Sequence, residues 1–89
     1  MTDEDRNEIR EAVENALELA RGEIAMAEDY ERRATPNLVA VRCLLREAGV
    51  ERTVAELREM LGRREGLYTA ADYARVATRE LMDGEAENA

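Results

Sequence analysis

Threonine and glycine punctuate this chain at the spacing of helix ends. Thr2, Thr53 and Thr69 each stand three residues before a carboxylate: Asp5, Glu56 and Asp72. At that spacing the hydroxyl reaches the amide of the third helical residue, and the carboxylate reaches back to the threonine amide. Thr35 precedes Pro36, and proline is preorganised for the first helical position. Gly49 follows Ala48 and Gly62 follows Leu61, where a left-handed residue closes a helix, and Gly84 closes the last periodic segment. These signals predict helices at 3–33, 36–48, 54–62 and 70–82. No apolar–polar alternation is long enough to compete as a strand.

The core must be aliphatic, because aromatics are only 3% of the chain and Phe and Trp are absent. Leu, Val, Ile and Ala in this proportion favour close-packed helices over sheets. At 89 residues there is enough chain for one core. The expected fold is all-α, a long N-terminal amphipathic helix packed on a three-helix body. Residues 1–89 are read as one domain, with a long acidic helix at 3–33, a tri-helical body at 36–82 and a flexible acidic tail at 83–89.

On the first helix Ile9, Val13, Ala16, Leu17, Ala20, Ile24, Ala27 and Ala34 form an apolar stripe at steps of three and four. Thirty residues would span about 45 Å, and Gly22 either weakens this rod by about 1 kcal/mol or splits it. Ala12, Leu19 and Met26 repeat at seven residues off the main stripe. They read as scattered surface atoms or as a second contact edge that dimerises the molecule. The second helix is apolar nearly all round, with Leu38, Val39, Ala40, Val41, Cys43, Leu44, Leu45 and Ala48. That pattern places it at the centre, with Cys43 as a small buried hydrophobe. Arg42 and Arg46 are expected to pair with acids of the first helix.

Many chemistries are excluded. There is no histidine and one cysteine, so no histidine-based triad, no disulfide within the chain and no four-thiolate zinc site can form. The five glycines are scattered and make no phosphate-binding loop. No apolar stretch approaches a membrane span. The opening Met-Thr-Asp-Glu-Asp lacks the basic and apolar regions of a secretory signal. The expectation is a cytoplasmic protein, not an enzyme, with no cofactor, no metal and no membrane partner.

Charge is unevenly spread. The net charge of −8 divides into −6 over residues 1–35, +1 over 36–82 and −3 over 83–89. Glu4, Glu8, Glu11, Glu18 and Asp29 lie opposite the apolar stripe. This acidic stripe reads as a solvated face, or as a mimic of a phosphate track that occupies a basic partner. Metal binding is disfavoured, because carboxylates along one straight helix do not converge on an ion.

The run Thr53-Val-Ala-Glu-Leu-Arg-Glu-Met-Leu-Gly62 resembles the first helix of a helix-turn-helix DNA reader, and the resemblance extends over residues 36–82. It implies a supporting helix at 37–48 and a recognition helix at 70–82 opened by Thr69, with Arg75 and Arg79 toward DNA. Arg63 and Arg64 in the connection would then reach phosphate. The connection 63–68 is longer than the tight turn of the simple motif, and the chain after residue 82 has no room for a wing.

Two functions are therefore expected. The first is a regulator that binds DNA through Arg63, Arg64, Thr69, Arg75 and Arg79 and dimerises through its first helix. The alternative is an acidic adaptor or inhibitor that binds a basic protein through Glu4, Glu8, Glu11, Ala12, Glu18, Leu19 and Met26.

Overall fold

The computed structural model describes residues 1–26, 28–62 and 69–84, with the side chains of all of these except 26 and 28–31. Four helices follow one another: α1 (Asp3–Met26), α2 (Glu28–Glu47), α3 (Val54–Gly62) and α4 (Ala70–Asp83). The described residues contain no strand. The protein is all-helical, and its long N-terminal helix packs against the other helices.

The threonine caps form as their spacing requires. The Asp5 amide donates to Thr2 Oγ1 at 3.1 Å. Thr53 and Glu56 close a reciprocal box, amide to side chain in both directions, at 3.1 and 3.2 Å. Thr69 and Asp72 do the same for α4. Gly49 has φ 81° and ends α2 in a Schellman turn. The Val50 amide donates to the Leu45 carbonyl at 2.9 Å, and the Gly49 amide donates to that of Arg46 at 3.0 Å. Gly84 ends α4 with φ 70°. Gly62 departs from expectation: it is the last residue of α3 and has no positive φ.

The first helix is shorter than its periodicity predicts. It ends at Met26, Gly22 lies uninterrupted within it, and Ala34 belongs to α2. Thr35-Pro36 is consequently not a helix start, because Pro36 lies inside α2. The Thr35 hydroxyl, free of capping duty, accepts a 2.7 Å hydrogen bond from the Arg58 guanidinium of α3. Ala34 is fully buried one residue before it. Tertiary contacts on both counts hold the segment helical through a proline that local chemistry would place at the boundary.

The centre of the molecule is α1. Val13, Leu17 and Ala20 are fully buried, and α2 and α4 flank this helix on two sides while scarcely meeting each other among the described residues. Both flanking helices run antiparallel to it. The Asn37 amide donates to Glu23 at 2.6 Å where α2 returns along α1. The Arg21 guanidinium lies 4.1 Å from the Tyr73 ring centre near the start of α4, and Arg10 bonds Asp83 at its end. The shorter α3 touches all three other helices through Leu57 and Leu61. The second helix is not buried all round. Leu38, Val41 and Leu45 face the core, whereas Ala40 and Cys43 are exposed. At about 1.5 Å per residue α1 is roughly 36 Å long, and the molecule measures 39 Å along its longest axis. The helix therefore matches its own domain, and excess length gives no reason for a second copy.

Pro36 cannot donate to the carbonyl one turn earlier, and an interior proline costs a helix about 3 kcal/mol. Pro36→Ala should therefore stabilise the fold by about 2 kcal/mol after the loss of proline's restraint on the unfolded chain. Thermal denaturation should show Tm rising by several degrees. A fall in Tm would place the start of α2 at Pro36 instead.

Candidate functional site

The sequence-predicted residues fall on two separate surfaces. On α1, Glu4, Glu8, Glu11 and Glu18 are all exposed, one helical turn or two apart, on the side opposite Val13 and Leu17. None of the four makes a hydrogen bond or ion pair among the described residues. Leu19 stands beside Glu18 with 61% of its surface in solvent. Ala12 is half-buried. The side chains of Met26 and Asp29 lie outside the described residues. The acidic stripe thus forms a continuous face with an apolar residue at its edge.

On α4, Arg75 and Arg79 are exposed, one turn apart. The Arg75 guanidinium donates to Asp72 at 3.2 Å. Thr69 has its hydroxyl committed to the cap: it accepts from the Asp72 amide at 3.2 Å and donates to the Asp72 carboxylate at 3.0 Å. Those contacts with Thr69, with help from Arg75, hold the Asp72 carboxyl below its ordinary range. Asp72, Glu80 and Asp83 interleave with the two arginines, so the outer side of α4 is of mixed sign. Arg63 and Arg64 lie outside the described residues.

A third surface joins the end of α2 to the start of α3. A cleft of about 220 Å³ is lined by Arg42, Arg46, Glu51, Arg52, Thr53 and Glu56. Arg46 and Glu51 approach to 3.5 Å with both side chains largely in solvent, so the expected pairing of Arg46 with α1 is replaced by a local one. Arg42 is half-buried, and its Nε is sealed from solvent with no hydrogen-bond partner among the described residues. Arg52 also borders a second cleft with Glu56, Glu59 and Glu80.

Sequence reasoning missed the contact that closes α1 onto α4. Arg6 and Arg10 sit within the most acidic part of the chain, yet both turn to the C-terminal end of α4. The Arg6 guanidinium donates to the Met82 carbonyl, and Arg10 grips Asp83 with two 2.6 Å hydrogen bonds. Cations suit this end of a helix, where unpaired carbonyls gather negative charge. The i, i+4 spacing of Arg6 and Arg10 was the available signal. It pointed to one helix face but not to partners 76 and 73 residues away.

Among the described residues no group of three or more Cys, Asp or Glu is gathered as a metal site, and no helix is long and apolar enough to cross a membrane.

The Arg10 hydrogen bond, aided by the charges of Arg10, Arg6 and Arg79 and opposed by partial burial, holds the Asp83 carboxyl below its ordinary range. A lowered folded-state value makes the pair stabilising above the unfolded carboxylate value of about 4, and the stabilisation fades as pH falls below it. Asp83→Asn should cost about 0.5–1 kcal/mol at pH 7 and less near pH 2, read by urea denaturation at both. An equal loss at both pH values would mean that the carboxylate charge contributes nothing. Comparison with protein families, with characterised proteins and with solved structures gives no significant match to this chain.

Proposed function

We propose that the protein is a non-enzymatic binding module whose working face is the acidic outer side of α1, and that its partner is a basic protein surface. The observation that carries this reading is the row Glu4, Glu8, Glu11 and Glu18. All four are exposed and uncommitted among the described residues, and Leu19 is open beside them. Carboxylates in a row attract and orient a basic partner over a distance. An exposed leucine at their edge gives the contact an apolar anchor, since anchors inside a polar rim supply most binding energy. A basic nucleic-acid-binding protein presents such a surface, and an acidic helix occupies its groove as phosphates would.

The DNA-reading alternative draws on the exposure of Arg75 and Arg79 on α4. Against it stand the 3.2 Å tie of Arg75 to Asp72, the interleaved acids and the net charge of −8, which repels a polyanion. The packing of α4 on α1 rather than on α2 also differs from the helix-turn-helix arrangement that residues 36–82 resemble.

The two readings separate in one set of measurements. Proteins captured by the intact chain are identified, purified and titrated calorimetrically against the parent and against Glu8→Arg/Glu11→Arg/Glu18→Arg, with circular dichroism confirming the fold of both. The expected outcome is a basic partner whose affinity falls at least about tenfold in the variant and weakens with salt. Equal affinity for parent and variant overturns the reading. Salt-sensitive binding of random duplex DNA that Arg75→Ala/Arg79→Ala removes would replace it with the DNA reading.

A further inference from the structure

The cleft between α2 and α3 is independent of the acidic face of α1, and its chemistry is opposite. Arg42 and Arg46 rise one turn apart from the end of α2, and Arg52 enters from the connection just before α3. Arg42 holds a guanidinium nitrogen that is shut off from water and has no acceptor among the described residues. Buried polar groups left in that state are rare, and a guanidinium with one nitrogen uncompensated favours an anion beside it. The start of α3 lies in the same wall through Thr53 and Glu56. The Thr53 hydroxyl takes only the Glu56 amide, so the amides of Val54 and Ala55 have no acceptor within the helix. Together with the helix dipole they favour an anion at that point.

From these observations we infer that the cleft binds a phosphoryl group, held by Arg42, Arg46 and Arg52 with the first amides of α3. Two glutamates share the wall, and neither fills the role. Glu56 is turned back onto the Thr53 amide at 3.2 Å. Glu51 meets only Arg46, at 3.5 Å, with both side chains largely in solvent. Such a pair is weak and yields to a bound dianion. A phosphoryl group offers three acceptor oxygens to three guanidinium forks, and arginine recognises it bidentately. A carboxylate offers two oxygens, and the carboxylates already present leave the Arg42 Nε without an acceptor among the described residues. The cleft volume of about 220 Å³ admits the phosphoryl group of free phosphate or of a small phosphorylated metabolite.

The test is a nuclear magnetic resonance titration of the full ¹⁵N-labelled chain with inorganic phosphate. Ionic strength is held constant with chloride, and adenosine monophosphate is the second probe. The expected result is saturable shifts confined to the amides of residues 52–56 and the arginine Nε–H signals. Arg52→Gln and Arg46→Gln, both at exposed positions, should each weaken binding about tenfold at unchanged Tm. Arg42→Gln, half-buried, adds a third arm if its thermal transition is preserved. Tighter binding of the nucleotide than of phosphate supports the site and assigns it to phosphorylated metabolites. Equal binding supports it with the phosphoryl group alone as the recognised element. Unsaturable shifts, equal shifts with acetate, or full affinity in both exposed variants would overturn the inference.

Discussion

Everything else in the fold depends on two helices packing against one stripe of α1. Val13, Leu17 and Ala20 exclude solvent completely, with α2 on one flank and α4 on the other. A helix that serves two neighbours needs a wide apolar surface, and the half-buried Ala16 and Ile24 supply its edges. Small residues let the backbones approach: Ala20 on α1, Ala34 on α2, and Ala74 and Ala77 on α4 are all buried. Because α2 and α4 scarcely meet, neither secures the other. A cavity at Leu17, typically costing about 2–5 kcal/mol, would loosen both contacts at once. The same constraint leaves α1 one free side, and that side carries Glu4, Glu8, Glu11 and Glu18.

Charge follows the same division of labour. The first third of the chain is strongly acidic, but its two early arginines do not decorate the acidic face. Arg6 and Arg10 instead close the end of α4, through the Met82 carbonyl and the Asp83 carboxylate. At the other end of the same interface Arg21 lies over the Tyr73 ring, a cation–π contact on a ring that is almost fully buried. Three arginines of α1 thus face α4, and the glutamates they leave behind on the outer side are uncompensated among the described residues. An acidic surface arises here from where the cations are used as much as from how many acids the chain holds.

The parts of the fold that were legible in the sequence are those governed by local chemistry. Thr53 with Glu56 and Thr69 with Asp72 close their caps because the geometry involves only residues three apart in sequence. Gly49 and Gly84 adopt the left-handed conformation for the same reason. Ile9, Val13, Leu17 and Ala20 of the stripe are buried as its period requires, with Ala16 half-buried at its edge. What the sequence misplaced is decided by distant partners. Pro36 sits inside α2, where Ala34 is in the core and Thr35 is bonded to Arg58. Cys43 is exposed although its neighbours are apolar, because it lies on the side of α2 opposite the buried Leu38, Val41 and Leu45. The acidic face was visible as a pattern, whereas the cleft of Arg42, Arg46 and Arg52 was not, since it joins two helices across the turn at Gly49.

The surfaces of the molecule differ in how committed their charges are, and this separates their functional readings. On α4 the arginines stand among Asp72, Glu80 and Asp83, so a polyanion meets as much repulsion as attraction there. On α1 the carboxylates are of one sign and uncommitted among the described residues, so their field adds along the helix, and Leu19 offers contact at close range. A basic partner of the kind proposed would gain from both terms without disturbing the core, because the residues it would meet are those that α2 and α4 do not use. The proposed binding face and the face that supplies stability therefore lie on different sides of a single helix.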